Sequence, residues 1–173
     1  MKRILSLLLA LLLIASLWGC TRQEDPDKPL TFYYSRAEYV YGNEGSVMGA
    51  EEREWNGQSN DLKGILTLYL NGPLNETLQS PFPSGTALVE IIVIDRQLII
   101  SLNNKFSLLS GIDLTLACAC LSKTCFQLTD AEQITIKSPE TEAHPAVYVT
   151  LSRNSIAFSD TVTQAKTTEP TTP

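Results

Sequence analysis

Three cysteines near the middle of the chain are the residues best suited to chemistry, namely Cys118, Cys120 and Cys125. Outside the cytoplasm, an odd number of thiols allows one disulfide with one thiol left over. On a helix Cys118 and Cys120 point to different sides, so a bridge would have to involve Cys125. The spacing C-x-C-x4-C is not typical of a zinc site, which needs a fourth ligand. We predict no metal site and favour three buried free thiols over one disulfide, because the surrounding segment is apolar.

The remaining polar residues do not form a catalytic pattern. His144 is the only histidine and lies in a proline-flanked segment, whereas a general base needs a positioned and partly desolvated site. The sequence contains no G-x-x-x-x-G-K-[ST], G-x-S-x-G or H-E-x-x-H motif. We therefore predict a protein that is not an enzyme, with no catalytic residue and no cofactor.

Two further clusters have a structural and a binding interpretation. The charged run at 51–54 predicts a solvated strand edge, with an acidic ligand patch as the alternative. An aromatic group could stack on sugar rings, but it is more typical of side chains that fill the rim of a sheet. Its members are Tyr33, Tyr34, Tyr39, Tyr41 and Trp55.

The first twenty residues predict export and lipidation. Lys2 and Arg3 precede an apolar run at 4–13 that is too short to span a membrane stably. Leu17-Trp18-Gly19-Cys20 resembles the bacterial lipobox, in which the cysteine is acylated with chains such as palmitate and becomes the new N-terminus. Two or three such chains hold a protein firmly on a bilayer. We therefore expect a signal peptide at 1–19, lipidation at Cys20, a tether at 20–29 and attachment to the extracytoplasmic face of the cell membrane.

Charge and composition limit the class of partner. Of 13 lysines and arginines, Lys2 and Arg3 precede the expected cut, so 11 remain against 19 acidic residues, a net charge of −8. Such an acidic body disfavours nucleic acid and anionic lipid surfaces as partners, so the membrane contact is expected through the covalent lipid. The Thr/Pro-rich segment 161–173 has no large apolar residue after Val162 and is predicted to be disordered.

Hydrophobic periodicity predicts an α+β fold. Short strands are expected at 30–34, 50–55 and 133–137, and helices at 62–70 and 112–121, the second apolar almost all round. The first helix should be capped by Asn60 or Asp61 and stopped by Gly72-Pro73. A last hairpin is expected between 148–151 and 155–158. A hairpin between two helices favours an antiparallel sheet with both helices packed on one face.

The segment 86–103 predicts a hairpin that turns at Asp95-Arg96. A two-residue turn puts six apolar residues on one face, expected to be core: Val89, Ile91, Val93, Leu98, Ile100 and Leu102. The other face carries an apolar strip of Ile92, Ile94 and Ile99, edged by Glu90, Gln97 and Ser101. This strip is the predicted interaction face. Either the C-terminal hairpin, through Val149, Leu151, Ile156 and Phe158, or a partner protein could cover it.

Turn motifs in the same region resemble those of the GerMN domain. The matching stretches are Leu70-Asn71-Gly72-Pro73, 80–86 with its P-x-G-T pattern, the paired strands, and Asn103-Asn104-Lys105-Phe106, where the family usually has aspartate in place of one asparagine. The resemblance covers 30–138 and leaves 139–160 as a linker with a C-terminal hairpin. It implies a fold similar to a ring-building motif.

The same resemblance implies a function. GerMN domains occur in sporulation and germination lipoproteins and in other envelope proteins, where they are regarded as non-enzymatic binding or assembly modules. A lipid-anchored module that binds an envelope protein is therefore the expected function. The alternative is a lipoprotein that binds a cell-wall fragment or a small solute in a concave aromatic pocket.

Overall fold

The computed structural model describes residues 29–38, 46–57 and 61–154. Within them the α+β prediction is confirmed, with two helices and two sheets. The strands are β1 (Leu30–Arg36), β2 (Met48–Arg53), β3 (Leu78–Gln79), β4 (Leu88–Ile94), β5 (Gln97–Leu102), β6 (Gln133–Ser138) and β7 (Val147–Ser152). The helices are α1 (Leu62–Leu70) and α2 (Gly111–Leu128), and a short 3-10 turn lies at Phe106–Leu108. Cys20 and the tail 161–173 lie outside the described residues.

The first sheet has three antiparallel strands in the order β2-β1-β3. Strand β1 pairs with β2 from Leu30 opposite Arg53 to Ser35 opposite Met48. The third strand has only two residues and pairs with the end of β1. The sequence predicted β1 and β2 but not β3, because two residues are too few to show a period.

Helix α1 begins and ends as predicted. The Asp61 carboxylate accepts a hydrogen bond of 2.9 Å from the N–H of Gly64 and so satisfies one of the donors that a helix N-terminus leaves open. Ile65, Leu66 and Tyr69 form the buried face. Gly72 follows the helix with φ of +92°, a conformation that glycine adopts without steric cost.

The second sheet has four strands in the order β4-β5-β6-β7. Strands β5 and β6 are parallel, since α2 carries the chain back to the same end of the sheet between them. The other two pairs are antiparallel. Tyr148 to Leu151, predicted as half of a last hairpin, pairs with β6. The other half, 155–158, lies outside the described residues.

The hairpin prediction is confirmed near the turn and wrong at its far end. Ile94 opposes Gln97, Val93 opposes Leu98 and Ile91 opposes Ile100, as expected. A bulge then shifts the register, so Leu102 pairs with Leu88 and not with Val89. In a bulge, two residues of one strand lie opposite one residue of the other, so the pairing beyond the bulge is shifted by one residue. Asp95 adopts φ of +53°, so the turn forms without the glycine usually found there.

Both helices pack on one face of the four-stranded sheet, as predicted. The core of this face comes from Leu98, Ile100, Ile134 and Ile136, all at most 1% exposed. Helix α1 contacts β4, and α2 contacts both β6 and β1, so α2 joins the two sheets through one core. The prediction that α2 is buried all round is wrong at its first turn, where Ile112 is 59% exposed.

Candidate interaction surface

The predicted apolar strip lies on the outer face of the four-stranded sheet, opposite the helices. Ile92 and Ile99 are cross-strand partners, both half-buried, and Ile94 is 53% exposed beside them. The structure therefore brings together the three residues of the predicted interaction face. Strand pairing also defines where the strip ends, because Ile99 is followed across the sheet by Thr135 of β6.

Beyond Ile99 the outer face becomes polar. The Gln97 amide donates a 3.0 Å hydrogen bond to the Thr135 hydroxyl, which in turn lies 2.9 Å from the Thr150 hydroxyl. Tyr148 projects from β7 at the far side and is 71% exposed. The outer face is thus divided into an aliphatic half on β4 and β5 and a hydroxyl-rich half on β6 and β7.

The proposed cover for the strip is wrong where it can be checked. Val149 of β7 pairs with Ile136, and Leu151 pairs with Ile134, so both lie on the core face of the sheet. Strand β7 extends the sheet sideways and does not fold over it. Ile156 and Phe158, the other residues of that prediction, lie outside the described residues.

Strand β4 forms the edge of this sheet and exposes two residues that were predicted to be core. Val89 is 61% exposed and Val93 is 65% exposed, although both were predicted to be core. The reason is position, since β6 pairs with β5 and leaves β4 at the margin, where the helices cover it only in part. Alternation within β4 could show which of its faces is apolar. It could not show that β4 is an edge strand with no neighbouring strand on one side.

The charged run at 51–54 is not a uniformly solvated edge, which corrects the sequence interpretation. Glu52 and Glu54 are exposed, but Glu51 and Arg53 are buried and paired through the Arg53 Nε and a Glu51 carboxylate oxygen. Period-2 alternation within the run was the signal that could have separated these two pairs.

The buried pair holds the loop that follows α1. The second carboxylate oxygen of Glu51 accepts hydrogen bonds of 2.9 Å and 2.8 Å from the N–H groups of Leu74 and Asn75. Arg53 donates to the carbonyl of Gly72 at 2.6 Å. Burial alone would raise the pKa of Glu51, but the Asn75 N–H, the Arg53 side chain and the Leu74 N–H together lower it. The pair is therefore an ionised structural anchor and not a ligand patch.

Of the three described members of the aromatic group, Tyr34 belongs to the core, and Tyr33 and Trp55 lie at its margin, as side chains that fill the rim of a sheet do. Tyr34 is fully buried, and its hydroxyl donates to the carbonyl of Tyr69 at 2.9 Å. Its ring stacks on that of Tyr69 with 4.9 Å between centroids, and burial raises the pKa of Tyr34. Tyr33 and Trp55 are half-buried, and the Lys123 ammonium lies 4.5 Å from the Tyr33 ring centroid. Tyr39 and Tyr41 lie outside the described residues.

The three cysteines of α2 are buried thiols. Burial raises the pKa of Cys118 and of Cys120 to about 12, and it raises the pKa of Cys125 as well. A thiol in this state is a poor nucleophile, because the thiolate is the reactive form. Among residues 29–38, 46–57 and 61–154, no group of three His, Cys, Asp or Glu side chains could hold a metal ion.

His144 lies in a turn between β6 and β7. Its N–H donates to the Thr141 hydroxyl at 2.9 Å, and its carbonyl accepts the Thr141 N–H at 2.8 Å. These backbone contacts give it a local structural role. Within the residues that the structure describes, neither helix is long and apolar enough to cross a membrane.

A groove of about 340 Å³ lies beside the three-stranded sheet and is lined by none of the three isoleucines of the strip. Its polar lining includes Ser35, Arg36, Gln79 and Asp113, and Pro81 and Pro83 form part of its wall. Phe82 is the aromatic residue in this lining and is only 8% exposed. The groove is thus open and half polar, unlike the aromatic pocket that sugar binding predicts.

Comparison with known proteins identifies the fold. No family model matches the chain, and no curated protein matches it. Among solved structures, the tandem GerMN domains of the sporulation protein GerM from Bacillus subtilis match with a TM-score of 0.54 and 16% identity over 79% of this chain. The match covers 49% of that structure, so this chain spans about half its length.

The first GerMN domain of the same protein matches with a TM-score of 0.52 and 17% identity, over 74% of this chain and 98% of that domain. The fold of one GerMN domain therefore accounts for most of this chain. The fold predicted from the turn motifs, that of a GerMN domain, is confirmed.

Proposed function

We propose that this chain is a lipid-anchored, extracytoplasmic protein of the cell envelope that uses its GerMN-like domain to bind another protein, without enzymatic activity. The observation that carries the proposal is the aliphatic half of the outer sheet face. Three isoleucines lie together there, and Ile94 is more than half exposed. A contiguous apolar strip of this kind marks a contact surface, whereas single exposed apolar residues do not.

Membrane attachment in this proposal comes from the lipobox-like sequence at Cys20. The tether at 20–29 leads directly into β1, which begins at Leu30. Lipid would hold the domain at the membrane, and the domain would present its outer face to a partner. The fold neighbours belong to a sporulation protein, which favours sporulation or germination as the setting.

The absence of enzymatic activity is supported by the chemistry of the best nucleophiles and bases in the described chain. Burial keeps the three α2 thiols protonated, and His144 contributes to a turn through its backbone. Neither group combines exposure with a partner that could activate it, which catalysis by a nucleophile or general base requires.

A membrane crosslinking experiment tests the proposed contact surface. Ile94→Asp places a charge on the exposed part of the strip, so we expect an unchanged melting temperature and loss of the protein that the wild type crosslinks. Tyr148→Asp is the matched control, because Tyr148 is also exposed on the outer face but lies on β7. Equal recovery of that protein by wild type and by Ile94→Asp would contradict the proposal.

Lipidation is tested separately by labelling with a fatty acid. Wild-type protein should incorporate the label, and Cys20→Ser should remain unlabelled and uncleaved. Absence of label from wild-type protein would contradict attachment to the membrane through lipid but would not bear on the proposed contact surface.

The second candidate, binding of a cell-wall fragment or small solute, is favoured by the groove. Its volume is within the range of small-molecule sites, about 300–1,000 Å³, and it presents both a cation, Arg36, and a carboxylate, Asp113. Binding of cell-wall fragments that Arg36→Ala abolishes and Ile94→Asp leaves unchanged would favour this candidate over the first.

A further inference from the structure

The described residues form two sheets with four edges, and these edges differ in how well they are protected. Edge strands expose unpaired N–H and C=O groups, and proteins usually protect them with charge, proline or short length. Strand β2 ends in three charged residues, Glu51, Glu52 and Arg53, and β3 has only two residues. Strand β7 presents threonine, serine and tyrosine on its outer face. Strand β4 has seven residues, LVEIIVI, with a single charge at Glu90.

The hairpin turn determines which backbone groups of β4 are free. Ile94 and Gln97 flank a two-residue turn and therefore exchange both of their hydrogen bonds. Successive residues of a strand point their backbone groups to opposite sides. It follows that Ile92 also bonds towards β5, whereas the N–H and C=O groups of Ile91 and Val93 point away from the sheet.

Val93 gives independent evidence that this edge lacks a neighbour. Its side chain shares a face with Leu98, its cross-strand partner, which is 1% exposed. Val93 itself is 65% exposed because the sheet ends there. A further strand beside β4 would bury Val93 on the face to which its sequence pattern assigns it.

From these observations we propose that β4 pairs in antiparallel fashion with β4 of a second copy of this chain, centred on Ile92. In this register Ile91 of one copy opposes Val93 of the other, and the free groups of both residues are satisfied in four intermolecular hydrogen bonds. The inference deepens the proposed binding function, on which it rests, by naming the partner.

Charge and side-chain packing favour a second copy over an unrelated strand. Centring on Ile92 places Glu90 opposite Ile94, so the two glutamates are kept apart and no like charges face each other. Ile92 meets its own counterpart in a non-hydrogen-bonded pair, in which side chains approach most closely. The bulge beside Val89 lies just outside the paired segment and ends it. The two apolar strips then join into one across the twofold axis.

Disulfide crosslinking of the full chain in membranes tests the register. Ile92→Cys would place two Cβ atoms about 4.5–5.5 Å apart, close to the separation that a disulfide needs. We expect a covalent dimer under mild oxidation. Ile99→Cys is the matched control, because Ile99 lies on the same face one strand further from the axis. The wild type measures any background from Cys20, since the α2 thiols are buried.

A second variant tests the hydrogen bonds. Val93→Pro removes an N–H that points away from β5. The domain should keep its melting temperature, because prolines are tolerated on edge strands. Two of the four intermolecular hydrogen bonds are lost, and self-association of the full chain in detergent should weaken about tenfold or more by analytical ultracentrifugation. Val93→Ala, which keeps the N–H, should weaken it less.

The results separate this inference from the function on which it rests. A wild-type chain that stays monomeric, or Ile99→Cys that crosslinks as well as Ile92→Cys, would overturn the self-pairing. If such a chain still crosslinks another protein through Ile94, the proposed function stands. If it crosslinks neither itself nor another protein, both fail.

Discussion

The two sheets of this domain protect their edges in different ways. At the edge of the three-stranded sheet, β2 carries an exposed Glu52 between the buried partners Glu51 and Arg53, which tie the strand to the loop after α1. At the edge of the four-stranded sheet, β4 consists of leucine, valine and isoleucine except for Glu90, and no described strand pairs with its outward side. One edge is closed by electrostatics within the chain, and the other remains suited to another strand.

The difference indicates where stability and function lie in the molecule. A buried ion pair with satisfied hydrogen bonds contributes little net stability, but each partner becomes costly to remove alone. An exposed aliphatic edge costs little to change, because its contacts are few. Substitutions should therefore damage folding at β2 and damage association at β4.

The largest effect is expected at Glu51. Glu51→Ala leaves the Arg53 guanidinium buried without its carboxylate and removes the acceptor for the Leu74 and Asn75 N–H groups. We expect a loss of about 3–5 kcal/mol in the free energy of unfolding, measured by urea denaturation. Glu52→Ala, one residue along and exposed, should stay within about ±0.5 kcal/mol. Equal losses would mean that β2 is not anchored by this pair.

The buried pair shows why sequence patterns predict elements more readily than contacts. The sequence predicts a strand at 50–55, two residues later than the observed β2, and the Asp61 cap and the Gly72-Pro73 stop are local enough to define α1. The partners of Glu51, however, are the backbone N–H groups of Leu74 and Asn75, more than twenty positions away. No spacing in the sequence encodes that contact, and a run of four charged residues is typical of a solvated edge.

A somewhat smaller effect should separate the two strands of the hairpin. Ile100 and Val93 share a face, but Ile100 is 0% exposed on β5 and Val93 is 65% exposed on β4. Ile100→Ala should cost about 2–5 kcal/mol, as truncations in a packed core do. Val93→Ala should stay within about ±0.5 kcal/mol. Thermal unfolding of both variants, at a concentration where the chain is monomeric, would check this, and similar losses would show that β4 is as well covered as β5.

The same hairpin marks the limit of what its sequence could reveal about the candidate site. The turn at Asp95-Arg96 and the facing of Ile92, Ile94 and Ile99 follow from period-2 alternation, which is a local property. The bulge at Val89 and the position of β4 at the edge of the sheet depend on the strand with which β6 pairs, namely β5. That pairing is determined by the crossover through α2 and by packing in the core. Alternation contains neither, and it therefore predicted Val93 to be buried.

The smallest effect is expected from acid, and it should be confined to the β2 side. Hydrogen bonds from the Asn75 N–H and the Arg53 side chain hold the pKa of Glu51 below the ordinary value for glutamate. The unfolded chain therefore binds the proton more readily than the folded chain does. The stabilisation that ionised Glu51 gives to the fold is complete at pH values above the ordinary pKa of glutamate, and it is lost as the pH falls through the lower pKa of the folded state. Glu51→Gln should remove this part of the acid sensitivity, whereas Glu52→Gln should leave it unchanged.

Hydrogen-exchange mass spectrometry, corrected for intrinsic exchange rates, can locate the effect. On acidification, protection should fall first in β2 and in the loop at 71–75, while β5 and β6 keep theirs, because the core cluster to which they belong contains no Asp, Glu or His side chain. In Glu51→Gln the β2 side should show the same protection at both pH values. Loss of protection throughout both sheets at the same pH would mean that the pair acts on the whole domain, and the two edges would then differ only in their surfaces.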